Sequence, residues 1–359
     1  MISRRNALTL LLASPLAGLS VGQAQPPANP PAGDGTLMDR GFIGNAVSRD
    51  VQQMYKKGLS FLQATQDARG TWPAGEGAGA GTTGLSLLAC LASGADPNFG
   101  PYRQVIRKGL RHIIDVQSLV TGYIGPSMYH HGFALLALCE AMGSVDDTLV
   151  FDADDPQEKR SLAQAVELAV RAALTAQKRN RHRAWRYSPG ANDADTSVSG
   201  AVMMGLLAAR NAGIEVPDQN IDQALQYFVS MTAEDGTVGY VESGASGGES
   251  IARSSITHLV LALAKRSDLP AYQATLDYLV ANLETKPSWP EYARYYQAQA
   301  LFQSAPEQWR QWNRKLIAQS LQLQRPDGSF PGEVGITNST SMSLLALALN
   351  FRFLPIYER

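Results

Sequence analysis

"KGLSFLQATQDARGTW", Lys57 to Trp72, begins as an amphipathic helix and ends in a turn, yet it holds Gly58 inside the helix. A glycine there costs about 1 kcal/mol relative to alanine, so its position asks for a reason. The same offsets recur along the chain. From Gly58, Gln66 comes eight residues later, Gly70 twelve and Trp72 fourteen. From Leu316 they give Gln324, Gly328 and Phe330 in "KLIAQSLQLQRPDGSF". From Gly109 they give Gln117, then Gly122 and Tyr123 after a one-residue slip. Weaker copies are "ALTAQKRNRHRAWRY", which carries Trp185, "ALQYFVSMTAEDGTV", ending at Val238, and "TLDYLVANLETKPSW", ending at Trp289.

Each of the six copies is followed by a polar or glycine-rich loop and a second, more apolar segment, such as "GTTGLSLLACLAS", "HHGFALLALCEAM" and "STSMSLLALAL". Alanine, glycine and leucine on every side mark helices buried all round. The first helix of each pair keeps an outer charged face, with Lys56, Arg107, Glu167 and Lys315. A period near fifty residues points to stacked helical hairpins. The expected fold is all-α: an α/α toroid of about six hairpins, inner helices forming a barrel and outer ones a ring. No strand pattern competes with it.

The opening stretch resembles the QW repeat of squalene–hopene cyclases, K/R-G-x-x-F/Y/W-L-x-x-x-Q-x-x-x-G-x-W. Lys57, Gly58, Phe61, Leu62, Gln66, Gly70 and Trp72 fill every position. The wider family is the prenyltransferase and squalene-cyclase repeat superfamily, and the resemblance covers about residues 48 to 350. The ending "LNFRFLPIYER" is similar to that of exported bacterial members. The resemblance implies that the glutamine bonds free backbone groups at helix ends and that the aromatic residue packs beside it. It also implies that Gly58 lets a neighbouring hairpin approach closely.

The chain has 359 residues, 45% hydrophobic and 18% charged, enough for a large core. Residues 1–24 read as an export signal: Arg4 and Arg5 precede the apolar run Ala7 to Leu19, and Gly22-Gln23-Ala24 is a small-residue cleavage site. "SRRNALTLL" resembles a twin-arginine signal, with Ala7 where an aromatic residue usually stands. The expected location is therefore periplasmic or secreted. Residues 25–47 read as a Pro/Gly-rich linker, and 48–359 as a single toroid domain of six QW-like repeats. No later stretch is long enough for a stable membrane span. With 31 basic against 32 acidic residues, nothing favours nucleic acid as a partner. Cys90 and Cys139, the only cysteines, sit in apolar runs and read as buried thiols.

In such a ring the amino ends of the inner helices gather at one mouth. They supply Tyr129, His130 and His131, then Asp193 and Asp195, then Tyr292, Tyr295 and Tyr296, with Trp185 in an adjoining loop. This mouth of tyrosine, histidine and carboxylate above an apolar barrel has the usual form of a ligand pocket. Asp193-Ala194-Asp195-Thr196 resembles the D-x-D-T form of the acid motif in class II terpenoid cyclases, which protonate an alkene. The resemblance implies Asp195 as proton donor with Asp193 tuning it. Squalene cyclases, however, have D-x-D-D and a cavity between two toroids. By capping preference the plainer reading of the same residues is Asp195 as the helix N-cap and Asp193 as a solvated loop residue.

A zinc site of the protein-prenyltransferase kind needs D-x-C, which is absent, and His130, His131 and His258 lack a cysteine or ordered carboxylate partner. Neither a metal nor a cofactor is expected. "GASGG" at 244–248 and "GEGAGAG" from Gly75 match catalytic and nucleotide-binding patterns without the strand context those need. Three functions remain open. The first is binding or cyclisation of an isoprenoid-like apolar ligand or lipid by aspartate-initiated protonation. The second is a non-catalytic envelope binding module, and the third a carbohydrate-active lyase or hydrolase.

Overall fold

The computed structural model describes residues 47–72, 79–151, 160–241, 250–351 and 353–357. The chain divides into two units, 1–35 and 36–359, and every described residue belongs to the second. The expected signal, residues 1–24, lies outside the described residues, as does the linker except for Val47, and so do "GASGG" and most of "GEGAGAG".

Among the described residues there are twelve α-helices and no strands. The outer helices are α1 (Arg49–Thr65), α3 (Arg103–Val116), α5 (Leu162–Arg179), α7 (Asp218–Met231), α9 (Pro270–Ala281) and α11 (Pro306–Leu323). The inner ones are α2 (Ala80–Leu91), α4 (Met128–Ala141), α6 (Thr196–Asn211), α8 (Ile251–Leu263), α10 (Pro290–Ser304) and α12 (Ile336–Ala348). Every residue of α2 is buried, whereas α1 buries only the stripe Val51, Met54, Tyr55, Gly58, Leu59 and Leu62. Each inner helix packs on the next, and α12 packs back on α2, so the barrel closes.

The repeated residues explain how the hairpins are fastened. Gln66 donates through Nε2 to Gly70 O at 3.0 Å in its own loop and to Val105 O at 3.0 Å on α3, the next outer helix. Gln117 does the same to Gly122 O and to Ala165 O on α5, and Gln177 to Arg183 O and to Asn220 O on α7. Gln324 donates to Gly328 O at 3.0 Å and to Met54 O at 2.8 Å on α1, closing the outer ring across the ends of the sequence. Each clip thus joins its own loop carbonyl to a carbonyl near the start of the next outer helix, which accepts the glutamine through its second lone pair. The fourth and fifth copies lack this clip: Thr232 and Asn282 at the helix ends bond back into their own last turns.

The glycines have steric causes. A Cβ on Gly70 (φ +85°) would stand 2.1 Å from Lys108 O, because the turn lies directly against α3. A Cβ on Gly58 would meet Leu344 of α12 at 2.6 Å, which is the close approach of a neighbouring hairpin implied by the repeat. Trp72 and Trp185 are buried, with Nε1 donating to Leu62 O and Ala173 O. Trp289 departs from the pattern and is 52% exposed. Cys90 and Cys139 are free and buried. None of the described helices is long and apolar enough to cross a membrane.

Candidate functional site

A cavity of about 790 Å³ opens where the inner helices begin. Every inner helix contributes its first turns: Gly81, Thr82 and Leu85 from α2, Tyr129, His130 and Phe133 from α4, Ser197 from α6, Ala252 and Arg253 from α8, Tyr292 from α10, and Asn338 and Met342 from α12. Tyr187, Tyr240, Pro287, Ser288, Trp289, Glu333 and Val334 complete the wall from the loops. A second hollow, about 900 Å³, lies between α5 and α7 with Glu167, Arg171, Lys178 and Glu215 on its walls. It is an outer-wall groove of mixed charge, away from the barrel.

One side of the mouth cavity is a stack of phenols. Tyr129 packs on Phe133 at 5.3 Å and on Tyr292 at 6.4 Å between ring centroids, and Tyr292 meets Tyr296 edge-on at 5.0 Å. The Tyr129 hydroxyl donates to that of Tyr292. Burial, reinforced by neighbouring hydroxyls, raises the Tyr129 pKa well above 10, so the stack stays neutral. Tyr295 and Tyr296 lie behind it, fully buried, and form no part of the cavity wall.

At the α6 edge the chain assembles a charged cluster. Arg186 stacks 5.5 Å from the ring centroids of both Tyr187 and Tyr240, whose hydroxyls are 3.0 Å apart. Its Nη1 lies 3.2 Å from Asp193 Oδ2 and its Nε 3.4 Å from Asp195 Oδ2. Asp193 is largely exposed (59%), whereas the Asp195 side chain is fully buried. Asp195 Oδ1 caps α6 by accepting from Val198 N at 2.8 Å. Its Oδ2 has no hydrogen-bond partner, the Arg186 contact being an ion pair without hydrogen-bond geometry. Burial pushes the Asp195 carboxyl up to about 6, against the lowering effects of the Val198 amide and Arg186. Asp195 itself is not on the cavity wall; Ser197, two residues on, is.

Among the residues expected at the site, Tyr129, His130 and Tyr292 meet on the cavity wall. His131 does not. It is buried, with Nδ1 accepting from Ile124 N and Nε2 against Ala169 O, so it ties the α3–α4 loop to α5. Trp185 is likewise committed to packing. His258 is held by Tyr272 O and Thr275 Oγ1 on α9, so the three histidines do not form one cluster. Among the described residues no group of three or more potential metal ligands occurs. Sequence reading missed Arg186, Phe133 and Glu333. The one signal for Arg186 was a cation directly after Trp185 in the loop that leads to Asp193 and Asp195.

No protein-family model matches the chain, and no curated protein matches it. Solved structures do. A type II terpene cyclase from Scytonema, MstE, in complex with its substrate geranylgeranyl dihydroxybenzoate, aligns with TM-score 0.54 and 14% identity, over 85% of this chain and 98% of that one. The GH76A α-1,6-mannanase from Salegentibacter sp. HEL1_6 aligns with TM-score 0.61 and 9% identity, over 83% and 98%. A glycosidase in complex with glucose aligns with TM-score 0.53 and 13% identity, over 85% and 98%. The fold is the α/α toroid shared by these enzymes. At such identities the likeness carries the fold and leaves the chemistry to the site.

Proposed function

We propose that this chain holds an isoprenoid-like apolar ligand in the mouth cavity and cyclises it by protonation from Asp195, in the manner of a class II terpenoid cyclase. The observation that carries the reading is the combination of a roughly 790 Å³ aromatic-walled cavity with a buried carboxyl of raised pKa at its α6 edge. Neutral phenol faces stabilise positive charge without trapping it covalently. For this step the Asp195 side chain must turn from its place behind Ser197 to the cavity, where the proton on its carboxyl passes to an alkene carbon whose π electrons form the new C–H bond. Ring closure then moves the charge along the chain, and loss of a proton ends the reaction. Solvent returns a proton to the carboxylate after each turnover; Arg186 stays charged and holds the carboxyl beside exposed Asp193 without relaying the proton. The substrate-bound Scytonema cyclase on the same fold supports this direction.

A glycoside hydrolase needs two carboxylates flanking the scissile bond. Glu333 is the one carboxylate among the described cavity-lining residues, so the wall gives that reading no pair. Export to the periplasm or exterior, by the twin-arginine route, belongs to the same proposal and rests on the leader sequence alone.

The test is native mass spectrometry and organic extraction of the purified protein, followed by turnover assays with the retained class of ligand. An apolar polyene should be retained by the wild type and by Asp195→Asn, while Asp195→Asn should lose turnover by at least about 100-fold, the usual weight of general acid catalysis. Retention of an oligosaccharide, or full turnover by Asp195→Asn, would refute the reading.

A further inference from the structure

The hollow of about 900 Å³ between α5 and α7 shares no lining residue with the mouth cavity, and Arg183 stands on its wall. Arg183 takes the glutamine clip of its hairpin at φ +54°, a place that Gly70, Gly122 and Gly328 hold in the other clipped copies. Glycine fills such a place without steric penalty, so this arginine is kept against its backbone preference. Strain of that kind persists where a side chain is needed.

Arg183 Nη1 donates to Lys178 O at 2.7 Å, which brings the guanidinium to the end of α5 beside Lys178. Its Nε and Nη2 have no acceptor among the described residues. Lys178 and Arg171 lie on one face of α5, about 10 Å apart along the helix, and both line the hollow. Two acids of α7 are already taken, Asp218 by Arg210 at 3.0 Å and Asp222 by Arg266 at 3.0 Å. Glu167 and Glu215 share the wall with the three cations, and none of these five groups makes an ion pair with a described residue. The wall is therefore net positive. Thr175, Gln219, Asn220 and Gln223 add hydrogen-bonding groups among aliphatic side chains, with no aromatic ring.

We infer that this hollow is a second ligand site, for a small sugar that carries an oxyanion, either phosphate or carboxylate. The unpaired edge of the Arg183 guanidinium receives the oxyanion as a fork, and Lys178 and Arg171 add longer-range attraction. The amides and the Thr175 hydroxyl meet the sugar hydroxyls. The site stands whether or not the mouth cavity holds a polyene.

Isothermal titration calorimetry in a phosphate-free buffer tests this with glucose 6-phosphate, glucuronate, inorganic phosphate and glucose. Glucose 6-phosphate or glucuronate should bind at least about tenfold tighter than glucose, the worth of one charge-assisted hydrogen bond, and more weakly as salt is added. Arg183→Gly should weaken that ligand by at least about tenfold while melting no lower than the wild type, because glycine suits the turn. Binding lost with stability kept separates ligand recognition from a folding defect. Lys178→Gln, on the helix surface, gives a second reading and should weaken binding by at least about threefold. Arg179→Gln, an exposed cation outside the hollow, should bind as the wild type does. The site is refuted if neither sugar anion binds, if glucose binds as tightly as they do, or if Arg183→Gly and Lys178→Gln keep full affinity. An equal loss in Arg179→Gln would reduce it to diffuse surface charge and overturn it too. Inorganic phosphate binding as tightly as glucose 6-phosphate would overturn the assignment to a sugar.

Discussion

One oxygen of Asp195 is committed to its helix, taking the Val198 amide at 2.8 Å, while the other lies buried beside Arg186 without a hydrogen bond. The charged groups facing it are Arg186 and Asp193, and the phenols of Tyr129, Tyr227, Tyr240 and Tyr292 surround it. Its carboxyl rises from 3.8 to about 6. A carboxyl raised by folding lends stability below its unfolded pKa and loses it as pH climbs through the folded value. Ionised Asp195 therefore costs the fold up to about 3 kcal/mol at neutral pH, at 1.36 kcal/mol per pKa unit. Asparagine keeps the cap without the charge. Asp195→Asn should melt above the wild type near pH 7.5, with the gap closing towards about pH 4. A gap independent of pH, read by circular dichroism melts, would contradict a buried titrating carboxyl. Under the proposed chemistry, turnover should fall as pH rises through about 6. His131 and His258 act in the opposite sense. Burial lowers both to about 4, so each lends stability above its unfolded value of 6.5 and loses it as pH falls towards 4. Comparison of Asp195→Asn with the wild type cancels their contribution.

At each clipped hairpin end the glutamine bonds the carbonyl of a residue in the left-handed region. Gly70, Gly122 and Gly328 hold that place in three copies, and in the third it is Arg183, at φ +54°. A left-handed residue other than glycine costs about 1–2 kcal/mol. Arg183 Nη1 recovers part of this by donating to Lys178 O at 2.7 Å. Arg183→Gly should therefore raise stability by up to about 1 kcal/mol. The converse differs by site. A Cβ on Gly213 (φ +85°) would meet nothing within 4 Å, so Gly213→Ala should cost about 1 kcal/mol of backbone strain. A Cβ on Gly328 would lie 2.2 Å from Lys57 O, so Gly328→Ala must also prise the turn off α1, at a cost of at least about 3 kcal/mol. Urea melts that ranked the two alike would show that the turn does not bear on α1. These elements were legible because glycine and glutamine leave a spaced pattern in the chain. The partners of Gln66, Gln117 and Gln177 lie 39 to 48 residues on and that of Gln324 lies 270 residues back, and no local feature of the sequence points to them. His130 and His131 show the limit most clearly: adjacent letters, yet one helical step turns the first to the cavity and the second to α5. Arg186 gave little sign for a similar reason, since its partners Tyr240 and Asp195 are joined to it only by the folded loops.

Ring closure sets how the molecule responds to loss of a part. In an open solenoid each repeat touches only its neighbours, so removing a terminal one leaves most interfaces intact. Here the last hairpin is neighbour to the first: α12 packs on α1 and α2, α11 packs on α1, and Gln324 donates to Met54 O. Deleting residues 305–359 would uncover the α12-facing sides of α10 and α2 together and empty the space that Leu344 fills against Gly58. Uncovered faces of that size, built from alanine and leucine, drive association. The truncated chain should lose its cooperative melt, bind a hydrophobic dye and elute as large aggregates. A circular permutant that joins the ends and opens the turn between α2 and α3 keeps every inner contact, and should melt as one transition close to the parent. A truncated chain that stayed monomeric, with a sharp transition reduced only in proportion to its length, would show that the hairpins stack as a line and that the α12–α2 contact is dispensable.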